Sequence, residues 1–229
     1  SFEEIGNGLF AFTAEGDPNS GIIVGDDSVI VIDAQATPTL ARQVIQKVRS
    51  VTDKPISHLV LSHYHAVRVL GAAEYKASNV IMSNNARSMV VERGQEDWDS
   101  EFDRFPRLFK GHEEIPGLTW PTTTFDKKMS LFLGKRRVDL YFLGRAHTAG
   151  DIVIHVPDSN VLFTGDIVEY KSACYCGDAH LQDWPQTLEK IAKFQAVSLV
   201  PGRGDALTDS RQIDDAIELT EDFVTSTFK

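Results

Sequence analysis

Cysteine is nearly absent from this chain, with only Cys174 and Cys176 among 229 residues. One residue separates them, which is too close for an unstrained disulfide, and a disulfide-stabilised domain needs more pairs. We interpret them as two reduced thiols. A Cys-x-Cys metal clip is the alternative, although structural zinc sites usually have wider spacing and a second cysteine pair. The pattern assigns neither residue a role.

Positive charge is also scarce: 23 Lys and Arg face 33 Asp and Glu, which gives a formal net charge of −10. A nucleic-acid or anionic-membrane partner requires a basic surface, so we expect neither. No apolar run reaches the roughly 18 residues of a membrane helix, and the N-terminus lacks the pattern of a secretory signal. We therefore expect a soluble, cytoplasmic protein. Because the chain starts at Ser1 and not at Met, a periplasmic or secreted location is the alternative.

The composition is that of a folded protein, with 42% hydrophobic and 24% charged residues. No low-complexity linker divides the chain, and we expect one domain over residues 1–229. Strand and helix patterns alternate in the first third, and strands dominate from 122 to 164. Between 95 and 121 the pattern is irregular and predicts a helical excursion or lid. Strands in both halves flanked by helices predict an α+β fold, a four-layer αβ/βα sandwich.

Two histidines with one residue between them, His63 and His65, follow an apolar strand at 56–62. Alternate residues of an extended segment point the same way, so both imidazoles can face one point. His147 lies in a glycine-rich loop after another strand. Three imidazoles form the protein half of a catalytic tetrahedral zinc site, in which water takes the fourth position. The alternative is a chance histidine pair at a strand end.

Several motifs stand in the order found in the metallo-β-lactamase superfamily, which this sequence resembles over nearly its whole length. The motifs are Val-Ile-Asp-Ala at 31–34, Ser-His-Tyr-His at 62–65, Gly-Arg-Ala-His-Thr-Ala-Gly-Asp at 144–151, Thr-Gly-Asp at 164–166 and Pro-Gly-Arg-Gly at 201–204. Several motifs in order are far more specific than any one of them. The resemblance implies a metal-dependent hydrolase that cleaves an ester, thioester, lactone or lactam bond of a small molecule by means of a metal-activated water.

The resemblance also implies the roles of individual residues. His63, His65 and His147 would bind one zinc ion, with iron or manganese as alternatives, and Asp166 would be a further metal ligand that orients the attacking water or accepts its proton. Asp33 would orient the histidine loop through hydrogen bonds. Substrate-binding candidates follow the Asp166 strand, and for each the alternative is a surface or packing role. They are Tyr170, Lys171 and His180.

Two departures from the family pattern remove ligands of a second metal. The usual His-x-His-x-Asp-His motif has Val67 and Arg68 in place of its aspartate and last histidine, and Arg203 replaces a later histidine. Valine has no lone pair and arginine stays protonated, so we expect one metal and not two. Restoring the pattern with Val67→Asp and Arg203→His should then rebuild the second site.

Asp166 needs a new partner where the second metal is lost, because an uncompensated buried carboxylate is unfavourable. We expect Arg203, and with it Arg68, to pair with Asp166 and to stabilise an oxyanion or an anionic substituent of the substrate. The alternative is that both arginines are solvated or pair elsewhere.

Two other functions remain open at this point. One is a non-catalytic ligand-binding or regulatory protein on a degenerate hydrolase scaffold, which the lost ligands favour. The other is a redox enzyme with iron in the same pocket. The sequence does not predict the oligomeric state.

Overall fold

The computed structural model of the protein describes residues 1–14 and 18–228. Twelve strands in these ranges form two sheets, one of seven strands and one of five. The seven-stranded sheet contains β1 (Phe2–Gly6), β2 (Leu9–Phe12), β3 (Ser20–Val24), β4 (Val29–Ile32), β5 (Ile56–Val60), β6 (Asn79–Ser83) and β7 (Thr123–Phe125). The five-stranded sheet contains β8 (Lys128–Leu133), β9 (Arg136–Tyr141), β10 (Val153–Val156), β11 (Val161–Gly165) and β12 (Ser198–Pro201).

Both sheets mix strand directions. The first follows chain order, with antiparallel pairing from β1 to β4 and parallel pairing from β4 to β7. The second has the order β12-β11-β10-β9-β8, and its β11–β12 pair is parallel. Parallel strands end at the same edge of a sheet, so the loops after β4 and β5 meet at one edge, as do those after β11 and β12. The candidate site lies where these loops converge.

Five α-helices in the described ranges join the strands. They are α1 (Pro38–Val51), α2 (Ala66–Val69), α3 (Asn84–Arg104), α4 (Trp184–Ala192) and α5 (Ser210–Phe228). Three 3-10 turns add to them at Ala72–Tyr75, Pro106–Phe109 and His112–Glu114. Helix α1 begins as its sequence predicts: the Thr37 hydroxyl accepts the amide of Leu40, and Pro38 takes the first helical position. None of these helices combines the length and apolar character needed to cross a bilayer.

Three apolar clusters define the layers. One joins α1 to the outer face of the first sheet, for example Val44 with Leu59. The second fills the space between the sheets, where Ile30 and Leu140 belong to opposite layers. The third joins α4 and α5 to the second sheet. Helices therefore cover both outer faces of two packed sheets, and the predicted four-layer sandwich is confirmed.

Some elements differ from the sequence prediction. Strands β1 and β2 were not predicted. Helix α3 begins at Asn84, ahead of the irregular segment, and its buried positions include Gly94, Asp97 and Glu101. A helix that buries glycine and carboxylates lacks the apolar spacing that marks an amphipathic helix, which is why its pattern is weak. After the histidine loop, α2 and the 3-10 turn at Ala72–Tyr75 are separate short elements.

Candidate metal centre

Three histidines converge at the edge where the loops meet. His63 and His65 lie in the turn between β5 and α2, and His147 lies in the loop between β9 and β10. One ring nitrogen of each lies within 4.8 Å of those of the other two. All three are buried, and their rings pack edge to face with centroids 4.8 to 4.9 Å apart. The two histidine motifs thus meet at one point.

Hydrogen bonds behind the rings decide which nitrogens face inward. His63 Nδ1 lies 2.9 Å from the Ser62 hydroxyl, and His65 Nε2 lies 2.9 Å from an Asp178 carboxylate oxygen. His63 Nε2 and His65 Nδ1 therefore turn toward His147, whose Nε2 is 3.1 Å from His65 Nδ1. His63 Nε2 is buried without a hydrogen-bond partner among the described residues. Three converging imidazole nitrogens, one of them unpartnered, fit a metal ion such as zinc.

The protonation of two of the three histidines also fits a metal. Burial lowers the pKa of His63 well below its usual value and lowers that of His147 to about 3. Both rings are therefore neutral and keep an electron pair for coordination. Burial acts on His65 in the same direction. The hydrogen bond to Asp178 and the charge of Asp97 outweigh it and raise the pKa of His65.

Asp166 lies beside the histidines and is shared by two arginines. Arg68 Nη2 donates to its Oδ1, and Arg203 Nη1 donates to its Oδ2 at 3.1 Å. Oδ2 also lies 3.4 Å from His147 Nε2 and 3.7 Å from His63 Nε2. Burial alone would raise the pKa of Asp166, but the charges of Arg68 and Arg203 hold it well below its usual range. Asp166 is therefore a permanent carboxylate.

Arg68 is wholly buried at 0% exposure. Besides Asp166, its guanidinium donates to Asp33 Oδ2 at 3.1 Å and to the carbonyls of Asn19 and Gly202 at 3.2 and 2.7 Å. All these partners are protein atoms, and Arg68 presents no surface to a substrate. An oxyanion-stabilising role, as suggested by the sequence, does not fit this burial. Arg203 is different, because its side chain is 18% exposed and lines the cavity described below.

Asp33 is connected to His63 by hydrogen bonds through Ser62. Its carboxylate accepts the Ser62 amide at 2.7 Å and the Ser62 hydroxyl at 2.8 Å, and that hydroxyl adjoins His63 Nδ1. Asp33 adopts φ of 60°, a left-handed backbone conformation that asparagine and aspartate tolerate better than most residues. This arrangement can orient the histidine loop, which is the role that the resemblance implied.

Gly202 permits the close approach of Arg68 to Asp166. A Cβ atom at this position would lie 2.0 Å from Asp166 Oδ1 and 2.9 Å from Arg68 Nη2. Real Cβ atoms are not found so close to other heavy atoms. The Pro-Gly of the last motif therefore makes room for the ion pair.

Asp178 is a site residue to which the sequence analysis gave no role. Its Oδ2 accepts from Tyr64 Oη and adjoins His65 Nε2, and its Oδ1 pairs with Arg93 Nη1 at 2.7 Å. Although burial opposes the shift, the hydrogen bonds to His65 and Tyr64 lower the pKa of Asp178 to about 2. A carboxylate on the outer nitrogen of a histidine fixes the ring tautomer and its orientation.

Helix α3 supplies two further buried carboxylates one turn apart. Asp97 Oδ2 accepts the amide of Ala66 at 2.8 Å, and Glu101 Oε2 accepts the amide of Val67 at 2.9 Å. These amides open α2 and have no partner within that helix, so the two side chains cap it. Asp97 Oδ1 also lies 3.8 Å from His65 Nε2. No motif in the sequence pairs α3 with the histidine loop.

A cavity of about 180 Å³ opens in front of His65 and His147. Its other lining residues are Val67, Glu101, Arg104, Phe105, Arg107, Leu108, Asp166, Ser172, Ala173, Tyr175 and Arg203. The candidates Tyr170, Lys171 and His180 are not in this lining. The Lys171 ammonium lies 4.8 Å from the centre of the Tyr170 ring, and the His180 amide donates to the Ala146 carbonyl. Their predicted contact with substrate stays a prediction.

The two cysteines flank Tyr175 and are free thiols. Burial raises the pKa of Cys174 to about 12 and raises that of Cys176 as well, so neither is an activated thiolate. Within residues 1–14 and 18–228, the groups that could hold a metal contain neither cysteine.

The family model of the metallo-beta-lactamase superfamily matches residues 13–203 of this chain. The chain belongs to the metallo-beta-lactamase superfamily. Its curated relatives include the metallo-beta-lactamases type 2 of Bacillus cereus and Bacteroides fragilis. The former is 22% identical over 85% of this chain and 70% of the relative, the latter 23% identical over 82% and 70%. This membership and the histidine cluster together support a metal-dependent hydrolase.

Solved structures of this superfamily share the fold. The structure of TMB-1 aligns with a TM-score of 0.75 at 19% identity, covering 100% of this chain and 98% of TMB-1. The metallo-beta-lactamase from Pontibacter korlensis aligns with a TM-score of 0.74 at 18% identity, covering 98% of both chains. At these identities the likeness establishes the architecture, and the chemistry must be argued from the residues of this chain.

Proposed function

We propose that this protein is a hydrolase with a single zinc ion, which cleaves an ester, thioester, lactone or lactam bond of a small molecule. The observation that carries the proposal is the convergence of three buried imidazoles beside a carboxylate already occupied by two arginines. His63, His65 and His147 would hold the ion. A zinc ion with three imidazole ligands lowers the pKa of a bound water and so supplies a nucleophile at neutral pH.

Asp166 acts in this proposal as a hydrogen-bond acceptor. Its low pKa makes it a weak base, but its Oδ2 lies close to both His63 and His147. It can therefore orient a water molecule by accepting one of its hydrogen bonds. The substrate carbonyl then stands in the cavity between the histidines and Arg203.

Arg203 donates a hydrogen bond to the carbonyl oxygen of the substrate, on which negative charge develops during attack. It lines the cavity and is the more exposed of the two arginines on Asp166. Asp166 and Glu169 both accept from its Nη1, which fixes the guanidinium before substrate arrives. Preorganised donors of this kind are a major source of rate enhancement in acyl transfer.

Val67, Arg68 and Arg203 leave no site for a second metal ion. Val67 offers no ligand atom, and the charges of Arg68 and Arg203 on Asp166 repel another cation. Phosphoester cleavage commonly uses two ions to hold the attacking and leaving oxygens. The proposal therefore favours carbonyl substrates over phosphoesters.

Metal analysis combined with a hydrolysis screen tests this function. We expect near one zinc per chain in protein grown with zinc, and turnover of at least one ester, thioester, lactone or lactam that is lost with a chelator. His147→Ala should lose tight metal binding and activity, whereas His155→Ala, outside the cluster, should keep both. Two ions per chain would contradict the single site.

A non-catalytic ligand-binding protein is the competing function. The observation that favours it is that Arg68, Arg203 and Val67 stand where a two-metal site would need ligands. Protein that holds no tightly bound metal and turns over no substrate in the screen would support this alternative.

A further inference from the structure

The cavity has a cationic and aromatic mouth at the end of α3. Arg104 is the last residue of this helix, and its guanidinium carbon lies 4.9 Å from the centre of the Tyr175 ring and 5.2 Å from that of the Phe105 ring. Arg104 and both of these aromatic residues line the cavity. Two ring faces hold the guanidinium in place, which lowers the entropy lost when it binds a ligand.

Arg104 keeps its charge available. Its Nε donates to the Ser100 carbonyl at 3.1 Å, and its Nη2 is 3.4 Å from the Tyr175 hydroxyl. The ion pairs found within residues 1–14 and 18–228 do not include Arg104, whereas Arg203 is shared by Asp166 and Glu169. The Arg104 guanidinium is therefore a positive group in the lining of a cavity, in a chain whose formal net charge is −10.

Tyr175 connects Arg104 to the histidine site. Its ring contacts the Arg104 guanidinium, and its centroid lies 5.7 Å from that of His65 and 6.1 Å from that of His147. A ligand can thus reach the histidine site with one end while its other end meets the guanidinium. Val67, Leu108 and Phe105 contribute apolar side chains to the lining of the same cavity.

We propose that Arg104 binds a carboxylate on the substrate, and that this enzyme prefers small acids whose body is apolar or aromatic. The proposal deepens the hydrolase function proposed above and rests on it. The guanidinium fork matches a carboxylate with two parallel hydrogen bonds, and the rings on either side favour a flat apolar neighbour. A cavity of about 180 Å³ limits the ligand to a small molecule. Lys171, one of the substrate-binding candidates from the sequence, does not line the cavity.

Calorimetric titration of the metal-loaded protein with phenylacetate and with its neutral analogue phenylacetamide tests the proposal. We expect the wild type to bind phenylacetate at least about tenfold more tightly, as a charge-assisted hydrogen bond provides. Arg104→Gln should abolish this preference. Arg104→Lys, which keeps the charge but loses the fork, should retain part of it. Arg87→Gln, an exposed change on the same helix outside the cavity, should leave the preference intact.

Two results would overturn the proposal. One is a wild type that binds neither probe or binds both equally. The other is an Arg104→Gln protein that keeps the preference for phenylacetate, because the carboxylate would then be bound by the metal or by another group. Turnover of neutral esters by the metal-loaded wild type is measured separately. Its absence would refute the hydrolase function, while the titration still reports on Arg104.

Discussion

Arg68 and Asp166 form an ion pair that is shielded from solvent, with the two residues 0% and 2% exposed. The same guanidinium also binds Asp33, so one cation is shared by two buried carboxylates. A buried pair of this kind adds little net stability over an apolar substitute, but loss of one partner leaves an uncompensated charge in a dry environment. The first prediction follows from this asymmetry.

Arg68→Ala should lower the free energy of unfolding by about 3–5 kcal/mol, because Asp33 would lose its guanidinium partner and Asp166 would lose one of its two. Urea denaturation measures this change. Arg42→Ala is the control, since Arg42 pairs with Glu74 and Glu114 at an exposed position, where ion pairs contribute about 1 kcal/mol or less. Equal losses in the two variants would show that the buried pair has no special weight.

Gly202→Ala should also destabilise the protein, because its Cβ would lie 2.0 Å from Asp166 Oδ1 and would force Asp166 and Arg68 apart. We expect a loss above about 2 kcal/mol in thermal or urea unfolding. Gly94→Ala in α3 is the matched control. Its Cβ would meet Val90 Cγ1 at an ordinary 3.4 Å, and alanine favours the helix by about 1 kcal/mol. A Gly202→Ala protein as stable as the wild type would contradict the packing argument.

Asp178→Asn should weaken zinc binding by about 10–100-fold, the usual effect of removing a carboxylate behind a histidine ligand. The physical reason is that His65 loses the acceptor that fixes its orientation. Competition with a chromophoric chelator gives the affinity. Asp183→Asn, which alters a more exposed carboxylate paired with Arg145, should leave the affinity unchanged. Unaltered zinc affinity in Asp178→Asn would exclude Asp178 from this role.

The double variant Val67→Asp with Arg203→His should still bind one zinc ion per chain. From the sequence alone, this pair of changes is expected to rebuild the second site. The structure shows why it should fail: Arg68 remains bonded to Asp166 Oδ1 and to the Gly202 carbonyl. Elemental analysis of wild type, both single variants and the double variant provides the test. Two ions in the double variant would mean that Arg68 moves away from Asp166 when the second ion binds.

Stability should fall with rising pH through the titration of Glu169. Burial, followed by the charge of Asp166, raises the pKa of Glu169 from an ordinary 4.5 to about 8. The folded protein then holds a proton that the unfolded chain has released. This contribution is fully present below pH 4.5 and is lost as pH rises through 8.

Its slope is at most about 1.4 kcal/mol per pH unit between the two pKa values. Glu169→Gln, which resembles the protonated acid, should lack this part of the pH dependence. Urea midpoints from pH 5 to 9 for both proteins measure the difference between them. Parallel curves would show that Glu169 does not titrate in this range.

The sequence predicted the four-layer fold and the convergence of the histidines. It could do so because His63, His65 and His147 each follow a strand, and strand ends are placed by the sheet. The pairing of Asp166 with an arginine was predicted because the resemblance places this buried carboxylate where a second metal is lost. Its geometry was not predicted, because the preference for Arg203 over Arg68 ignored that Arg68, a residue of α2, is wholly buried.

The supporting carboxylates could not be predicted in the same way. Asp178 is 113 residues from His65 in the chain, and Asp97 and Glu101 lie on a helix whose polar pattern gave no sign of burial. Such contacts depend on how helices dock onto the sheets, and no local spacing encodes that docking. Tertiary packing therefore decides the environment of His65.

Arg68 links three separate parts of the chain: Asp33 after β4, Asp166 after β11 and the Gly202 carbonyl after β12. The first follows a strand of one sheet and the other two follow strands of the opposite sheet. The Arg68 side chain therefore connects the two sheets at this edge of the sandwich. This connection consists of protein atoms alone, so a chelator cannot remove it. The two sheets can therefore stay connected at this edge without a metal ion.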